Sequence, residues 1–198
     1  MTDNLANYVG QPLRLHELNI ENFVETLYSK KIKFTNGKKI GEGVNASGEL
    51  TYIGMHPGQL SVIASPARFK VLAAGRRFGK TAVCTILALA AAMQPNRKIW
   101  IVGPEYVHVE KVFVELYSIL VNQLGWIKKN ANDGTAARKS KGDYFIQLPN
   151  GSIIEGKSAS NKDSMAGDAL DLVIFDEAAL EASLETVWSQ MLRPTLAD

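Results

Sequence analysis

The feature of this sequence that most constrains its fold is the stretch of residues 73–81, which reads Ala-Ala-Gly-Arg-Arg-Phe-Gly-Lys-Thr. A short apolar run at residues 69–72 precedes it, and a helix-forming run at residues 82–93 follows it. A strand, a glycine-bearing loop and a helix in this order are typical of a phosphate-binding loop. The stretch therefore predicts an α/β protein in which a mainly parallel sheet is flanked by helices.

Several residues of the loop suit the binding of a polyphosphate. Lys80 is placed to reach the outer phosphates, and the Thr81 hydroxyl is placed to ligate Mg²⁺. The usual spacing has glycine six residues before the lysine, where this chain has Ala74. We expect Gly75 to supply the unusual φ and ψ one position later. The predicted nucleotide contacts are Gly75, Arg76, Arg77, Phe78, Gly79, Lys80 and Thr81.

The paired arginines, Arg76 and Arg77, have two possible interpretations. On an ordinary loop tip they would be solvated surface charges. Here they stand between two glycines, next to a helix N-terminus that favours an anion. A guanidinium in that place can pair with phosphate oxygens through two hydrogen bonds. We favour the interpretation that Arg76 and Arg77 bind phosphate.

An acidic pair completes the pattern. Residues 170–175 form an apolar run that predicts a buried strand, and Asp176 and Glu177 follow it directly. Ligands bind at the carboxyl ends of parallel strands in α/β sheets. Asp176 could hold Mg²⁺ through water, and Glu177 could polarise the water that attacks the γ-phosphate. Alternatively, the acids only mark the start of a helix. Together with the loop, the pair predicts an NTPase.

The chain resembles the N-terminal ATPase domain of the large terminase subunit, the DNA-packaging motor of tailed bacteriophages. The resemblance covers residues 57–198 and is most specific in the loop, where such terminases commonly carry an arginine four residues before the lysine, here Arg76. It implies an ASCE-type P-loop NTPase. The stretches that carry it are residues 75–81, 151–154, 158–159, 171–179 and 191–194.

The resemblance also implies ligands and partners. ATP and Mg²⁺ are the expected cofactors, with Lys80, Arg76 and Glu177 as catalytic residues and Thr81 and Asp176 as metal ligands. Gln59 is expected to read adenine, unless it is only an exposed glutamine at a helix start. The implied partners are double-stranded DNA, the small terminase subunit, the portal protein and further copies in a ring. The expected location is the cytoplasm of the infected bacterium.

Two units are predicted along the chain. Residues 1–55 form an appendage with a helix ending near Lys30 and a hairpin around Asn36-Gly37. It either packs on the ATPase core or contacts the small subunit. Residues 56–198 form the ATPase core, in which a second turn at Asn150-Gly151 predicts an added antiparallel hairpin. The chain stops before the coupling motif and nuclease domain that the resemblance implies, so we expect no nuclease activity.

A basic cluster lies in what the sequence indicates to be a loop. Its members either contact DNA phosphates or only keep the loop soluble. Arg138 is also a candidate for an arginine donated to the ATP of a neighbouring subunit. Family members often carry an arginine at the position of Ala166, and this chain departs from that pattern. The cluster comprises Lys128, Lys129, Arg138, Lys139 and Lys141.

The composition of the chain limits the classes of protein and site to which it can belong. The chain has 198 residues, a net charge of +2 and no apolar run as long as a membrane span. The one cysteine, Cys84, fits a small core residue in a reducing compartment. The three histidines lack ligand spacing, so no zinc site is predicted. Two rival functions remain open: a helicase-like or repair translocase, and a truncated nucleotide-binding or assembly module without catalysis.

Overall fold

The computed structural model describes residues 17–127, 135–140, 142–165 and 169–196. The strands are Glu42–Val44 (β1), Leu50–Tyr52 (β2), Lys98–Gly103 (β3), Ala136–Ser140 (β4), Asp143–Gln147 (β5), Ile153–Ser158 (β6) and Leu172–Phe175 (β7). The α-helices are Ile20–Ser29 (α1), Pro57–Ala64 (α2), Lys80–Ala92 (α3), Tyr106–Tyr117 (α4), Leu184–Thr186 (α5) and Arg193–Thr195 (α6).

Shorter helical segments join or follow these elements. A π-helical segment, Ser118–Gln123, continues α4, and another, Val187–Leu192, links α5 to α6. Short 3-10 helices cover Lys162–Met165 and Ala178–Leu180. None of the helices within the described residues is both long and apolar enough to cross a bilayer.

In the part of the chain that the structure describes, the main sheet has five strands in the order β4-β5-β6-β3-β7. Parallel pairing is confined to β6, β3 and β7, while β4, β5 and β6 pair antiparallel. The α/β class and the antiparallel addition at Asn150-Gly151 follow the prediction, but the sheet is mixed rather than mainly parallel. The carboxyl ends of β3, β6 and β7 lie at one edge, where a ligand site is expected.

The basic cluster is partly in a strand, not a loop. Arg138 and Lys139 lie on β4, which pairs with β5 from Ala136 opposite Gln147 to Ser140 opposite Asp143. The sequence of β4 lacks apolar alternation because this strand is at the edge and its charged side chains are exposed. The other three members, Lys128, Lys129 and Lys141, lie outside the described residues.

The predicted strand at residues 69–72 is wrong. This segment has no regular secondary structure and pairs with no strand among the described residues, and Val71 is 97% exposed. The last strand on this side of the sheet is β7, which pairs with β3. An apolar run becomes a strand only where a neighbour completes its backbone hydrogen bonds, and the run at 69–72 has no such neighbour.

The central strand β3 separates two hydrophobic clusters. Its residues from Ile99 to Val102 are completely buried because helices or loops cover both faces of the sheet. Ile99 and Ile101 face the larger cluster, which includes residues of α1, α3 and α4. Trp100 and Val102 face the smaller cluster with Met165, Val187 and Leu192. The buried run anchors the sheet edge that carries the acidic pair.

Residues 17–55 contribute to the larger cluster. Ile20, Val24 and Leu27 are the buried face of α1, whose N-terminus is capped by the Asn19 side chain. Near Asn36-Gly37 the chain turns back on itself, with an antiparallel bridge between Lys33 and Lys39. Because these residues share one core with α3 and α4, the described part of the appendage packs on the core. The boundary at residue 55 itself stays a prediction.

Candidate functional site

The loop conformation depends on Arg77 and Gly79. Both have positive φ, 68° and 86°, whereas Gly75 does not, so the prediction that Gly75 supplies the unusual backbone conformation is wrong. A Cβ at Gly79 would lie 2.7 Å from Gln59 Nε2. Glycine is therefore favoured at position 79 by its left-handed backbone, and a side chain there would displace the Gln59 amide.

Gly79 also precedes the first turn of α3. No side chain among the described residues caps this helix, so its first N–H groups are not used by a capping residue. These groups and the helix dipole make the start of α3 suitable for an anion. Lys80, the first residue of α3, turns back and donates from Nζ to the Ala74 carbonyl oxygen at 3.0 Å. The amine thus closes the loop that would surround the phosphates.

Gln59 connects α2 to the loop. Its Oε1 accepts a hydrogen bond from the His56 N–H at 3.0 Å, and its Nε2 donates to the Phe78 carbonyl oxygen at 2.9 Å. The Phe78 ring packs edge-on against the His56 ring, with 6.1 Å between centroids. These contacts give Gln59 a support role for the loop, and adenine recognition by its amide stays a prediction.

One cavity of about 290 Å³ brings the loop and the acidic pair together. The sequence predicted seven of its lining residues but not the eighth, Lys111. Of the other predicted contacts, Arg76 is exposed, and Arg76, Phe78 and Gln59 are outside the lining set. The lining residues are Gly75, Arg77, Gly79, Lys80, Thr81, Lys111, Asp176 and Glu177.

Asp176 is buried at the end of β7. It is 7% exposed, its N–H donates to the Val102 carbonyl oxygen at 2.9 Å, and its Oδ1 accepts from the Glu177 N–H at 3.1 Å. Burial raises its pKa above the ordinary value, and the Glu177 charge raises it further. The hydrogen bond from the Glu177 N–H and the charges of Lys111 and Lys80 oppose this rise in the pKa. A nearby cation would stabilise the ionised carboxylate.

The donor set fits Mg²⁺ in the company of a polyphosphate. Thr81 and Asp176 supply a hydroxyl and a carboxylate in the same cavity. In the described ranges, no group of three or more His, Cys, Asp or Glu side chains could form a metal cage. A small hard cation that keeps several waters and takes phosphate oxygens needs only one or two protein ligands.

Glu177 has an unusual backbone conformation. Its φ and ψ are 54° and 35°, which place it in the left-handed region that non-glycine residues rarely adopt. Such strained positions cluster at functional sites. Its side chain is 38% exposed, and Oε1 lies 4.0 Å from Lys111 Nζ. The geometry leaves this carboxylate accessible to water in the cavity.

The cation that sequence reasoning missed is Lys111. The apolar stripe of α4 is core, as predicted, with Val109, Val112, Phe113 and Leu116 fully buried. A single lysine between such residues usually marks a solvated face of a helix. The only available signal was its place in the helix that follows β3, whose N-terminus lies at the same edge of the sheet as the acidic pair.

Cys84 lies on α3, one turn after Lys80. It is half-buried and packs against the larger hydrophobic cluster. Burial raises its pKa to about 12, and the charge of Asp176 adds to the rise. The thiol is therefore neutral at physiological pH, and its reactivity is low.

Comparisons with known proteins give one consistent result. Residues 71–193 match the family model described as terminase large subunit, T4likevirus-type, N-terminal. The terminase large subunit of Escherichia phage T5 is 34% identical over 130 residues, covering 65% of this chain and 27% of the relative. That of Thermus phage G20c is 29% identical over 153 residues, covering 72% and 31%. The chain thus spans less than a third of the length of these relatives.

A solved structure is also similar. The large terminase ATPase domain of Thermus phage P74-26 superposes with a TM-score of 0.57 and 26% sequence identity. The match covers 71% of this chain and 59% of that one. The fold and the sequence therefore point to the same group of proteins.

Proposed function

The chain belongs to the family of phage terminase large subunits, and from that premise we propose that it is the ATP-hydrolysing module of a viral DNA-packaging motor. The observation that carries the proposal is the single cavity in which Lys80 and Thr81 meet Asp176 and Glu177. The family match favours this function over a helicase-like or repair translocase. A non-catalytic assembly module remains the alternative outcome of the hydrolysis test below.

Nucleotide binding would use the start of α3. The N–H groups of the loop and of the first helical turn would donate to phosphate oxygens. Lys80 would exchange its bond to the Ala74 carbonyl for the β- and γ-phosphates. Thr81 and Asp176 would hold Mg²⁺, which neutralises charge on the β- and γ-phosphate oxygens. Gln59 is proposed to read adenine with the donor and the lone pair left over from its two present bonds.

Hydrolysis would depend on Glu177. Its half-exposed carboxylate can orient a water molecule and accept its proton as the water oxygen bonds to the γ-phosphorus. The bond from that phosphorus to the β,γ-bridging oxygen would break in the same step, releasing ADP and phosphate. Arg76 is proposed to sense or stabilise the γ-phosphate, which requires its exposed side chain to move towards the cavity. Arg77 already lines the cavity and can also stabilise the γ-phosphate. Catalysis would then consist of positioning and electrostatic stabilisation rather than covalent chemistry.

The test is ATP hydrolysis by this chain with Lys80→Ala and Glu177→Gln as variants. Lys80→Ala should abolish tight ATP binding, because it removes the cation at the outer phosphates. Glu177→Gln should keep binding and lose about 10²-fold or more in kcat, because the amide cannot take the proton. Turnover would be followed by phosphate release and binding by titration calorimetry.

Controls separate the possible outcomes. Glu110→Gln changes an exposed residue of α4 outside the cavity and should match wild type. Stimulation by double-stranded DNA would support a motor. Binding without turnover in wild type would favour the assembly module, and undiminished turnover in Glu177→Gln would remove that residue from its proposed role.

The proposed partners follow from the family and not from a contact in this chain. They are double-stranded DNA, the small terminase subunit, the portal protein and further copies in a ring, in the cytoplasm of the infected cell. Arg138 is a weak candidate for an arginine acting on a neighbouring subunit, since its Nε lies 2.8 Å from Asp143 Oδ2 and its guanidinium stacks on Phe145. We propose no nuclease activity for this chain.

A further inference from the structure

Lys111 makes a contact that the mechanism above does not use. Its Nζ lies 4.0 Å from Glu177 Oε1, and both residues line the cavity. The helix that carries it, α4, packs on β3 and β6 through fully buried residues such as Val109 and Phe113. The backbone at Lys111 is therefore fixed relative to the sheet that carries Glu177.

The exposure of the Lys111–Glu177 ion pair indicates that it contributes little to folding stability. The side chains of Lys111 and Glu177 keep 52% and 38% of their exposure. Ion pairs that open to water add little to folding stability, because solvent screens them and two long side chains must be ordered. The contact therefore stabilises the fold little. Its main effect is on the positions of the two charged side chains.

The backbone of Glu177 points to the same conclusion. The left-handed conformation of this residue costs strain and directs its side chain into the cavity. The other lysine of the cavity, Lys80, donates to the Ala74 carbonyl oxygen. Lys111 reaches the carboxylate from a different helix.

We propose that Lys111 is a positioning residue for Glu177, holding the carboxylate directed into the cavity where water would be activated. The inference rests on the proposed ATPase function for its catalytic consequence, but the contact itself can be tested without nucleotide. Lys111 touches Glu177 rather than the reacting atoms, so its removal should affect turnover more than binding.

The first experiment tests the contact alone. A water-soluble carbodiimide joins an amine to a carboxylate as an amide, taking up the released water as a urea. Applied to the nucleotide-free chain, it should link Lys111 to Glu177, which peptide mapping by mass spectrometry would detect. Lys111→Arg and Glu177→Gln should each abolish this link. Its absence from wild type would overturn the proposal.

The second experiment tests the consequence. Lys111→Ala should lower kcat about tenfold and leave the KM for ATP within about twofold, since small misplacements of a catalytic group cost large factors in rate. Lys111→Arg, which keeps the charge, should recover to within about threefold of wild type. In a Glu177→Gln background, Lys111→Ala should cause no further loss because the two residues act together. Glu110→Gln on the same helix is the matched control.

Two kinetic results would contradict the positioning role of Lys111, and each indicates a different role for the residue. A raised KM with unchanged kcat would make Lys111 a phosphate ligand instead, and equal losses in the Ala and Arg variants would indicate a structural role. Either result overturns positioning. If wild type hydrolyses no ATP, the proposed function fails, and the carbodiimide link still decides whether Lys111 holds Glu177.

Discussion

At the scale of single residues, Asp176 decides how the site responds to pH. Its burial and the adjacent Glu177 raise its pKa above the unfolded value. The folded chain therefore binds its proton more tightly than the unfolded chain does, and keeping the carboxylate ionised costs stability. This cost is complete above the folded pKa and disappears as the pH falls to the unfolded value of about 3.9. The nucleotide-free site thus holds a charge that a cation would stabilise.

Asp176→Asn should therefore stabilise the nucleotide-free chain at pH 7. The amide keeps an oxygen that can accept from the Glu177 N–H but carries no charge. We expect the Tm to rise by a few degrees, at roughly 2–4 °C per kcal/mol for a chain of this size. The gain should shrink as the pH is lowered towards about 4.

The same variant should lose the rise in Tm that ATP and Mg²⁺ are expected to give to wild type, since the proposed metal ligand is gone. Differential scanning fluorimetry with and without the ligands measures both effects. A nucleotide-free Tm below that of wild type at pH 7 would contradict the conclusion that burial of the Asp176 charge costs stability.

At the scale of elements, a partly buried ion pair ties the start of β7 to β3. Arg97 Nη1 lies 2.7 Å from Asp171 Oδ1, and the Lys98 N–H donates to Asp171 Oδ2 at 2.8 Å. The Arg97 side chain is only 6% exposed, whereas that of Asp171 is 23% exposed. The pair fixes the register of the strand that ends in the acidic residues.

Asp171→Ala should destabilise the fold strongly. It leaves a buried guanidinium without this carboxylate and the Lys98 N–H without its acceptor, so we expect a loss of about 3 kcal/mol, at the lower end for buried pairs. Asp143→Ala is the matched control because it breaks an exposed pair with Arg138 and should cost at most about 1 kcal/mol. Urea unfolding measures the free energies, and similar losses in the two variants would contradict the prediction.

At the scale of the whole molecule, the two hydrophobic clusters on either side of the sheet set the stability of the site. The larger one gathers residues from α1 through β6, so the α3 helix cannot open without disturbing packing contributed by distant parts of the chain. Cys84, on α3, packs against that cluster. As the only cysteine in the sequence, it reports on the whole fold.

Alkylation of Cys84 should therefore require unfolding. With a pKa of about 12 in the folded state, the thiolate fraction at pH 8 is about 10³-fold below that of an unperturbed cysteine. We expect iodoacetamide to react at least about 10³-fold faster in urea than in buffer, as followed by mass spectrometry. Fast alkylation in buffer would mean that α3 opens locally.

Much of the candidate site could be predicted from residue types at fixed spacing. Lys80, Thr81, Asp176 and Glu177 were identified in this way, because a phosphate loop and an acidic strand end have local signatures. The resemblance to large terminases is confirmed by the family match. Lys111 could not be predicted, since only the packing of α4 on the sheet brings it to Glu177.

By itself, the sequence determined the α/β class, the family and two of the segments that line the cavity, because these depend on local periodicity and motif spacing. Only the tertiary structure decided which apolar runs became strands. Residues 99–102 are central and buried, whereas residues 69–72 pair with no strand among the described residues and form no regular secondary structure. It also showed that the left-handed residues of the loop are Arg77 and Gly79, not Gly75, and that Lys111 lies beside Glu177. The reason is that strand pairing, backbone conformation in a tight loop and contacts between helices depend on what lies nearby in space, which spacing along the chain does not record.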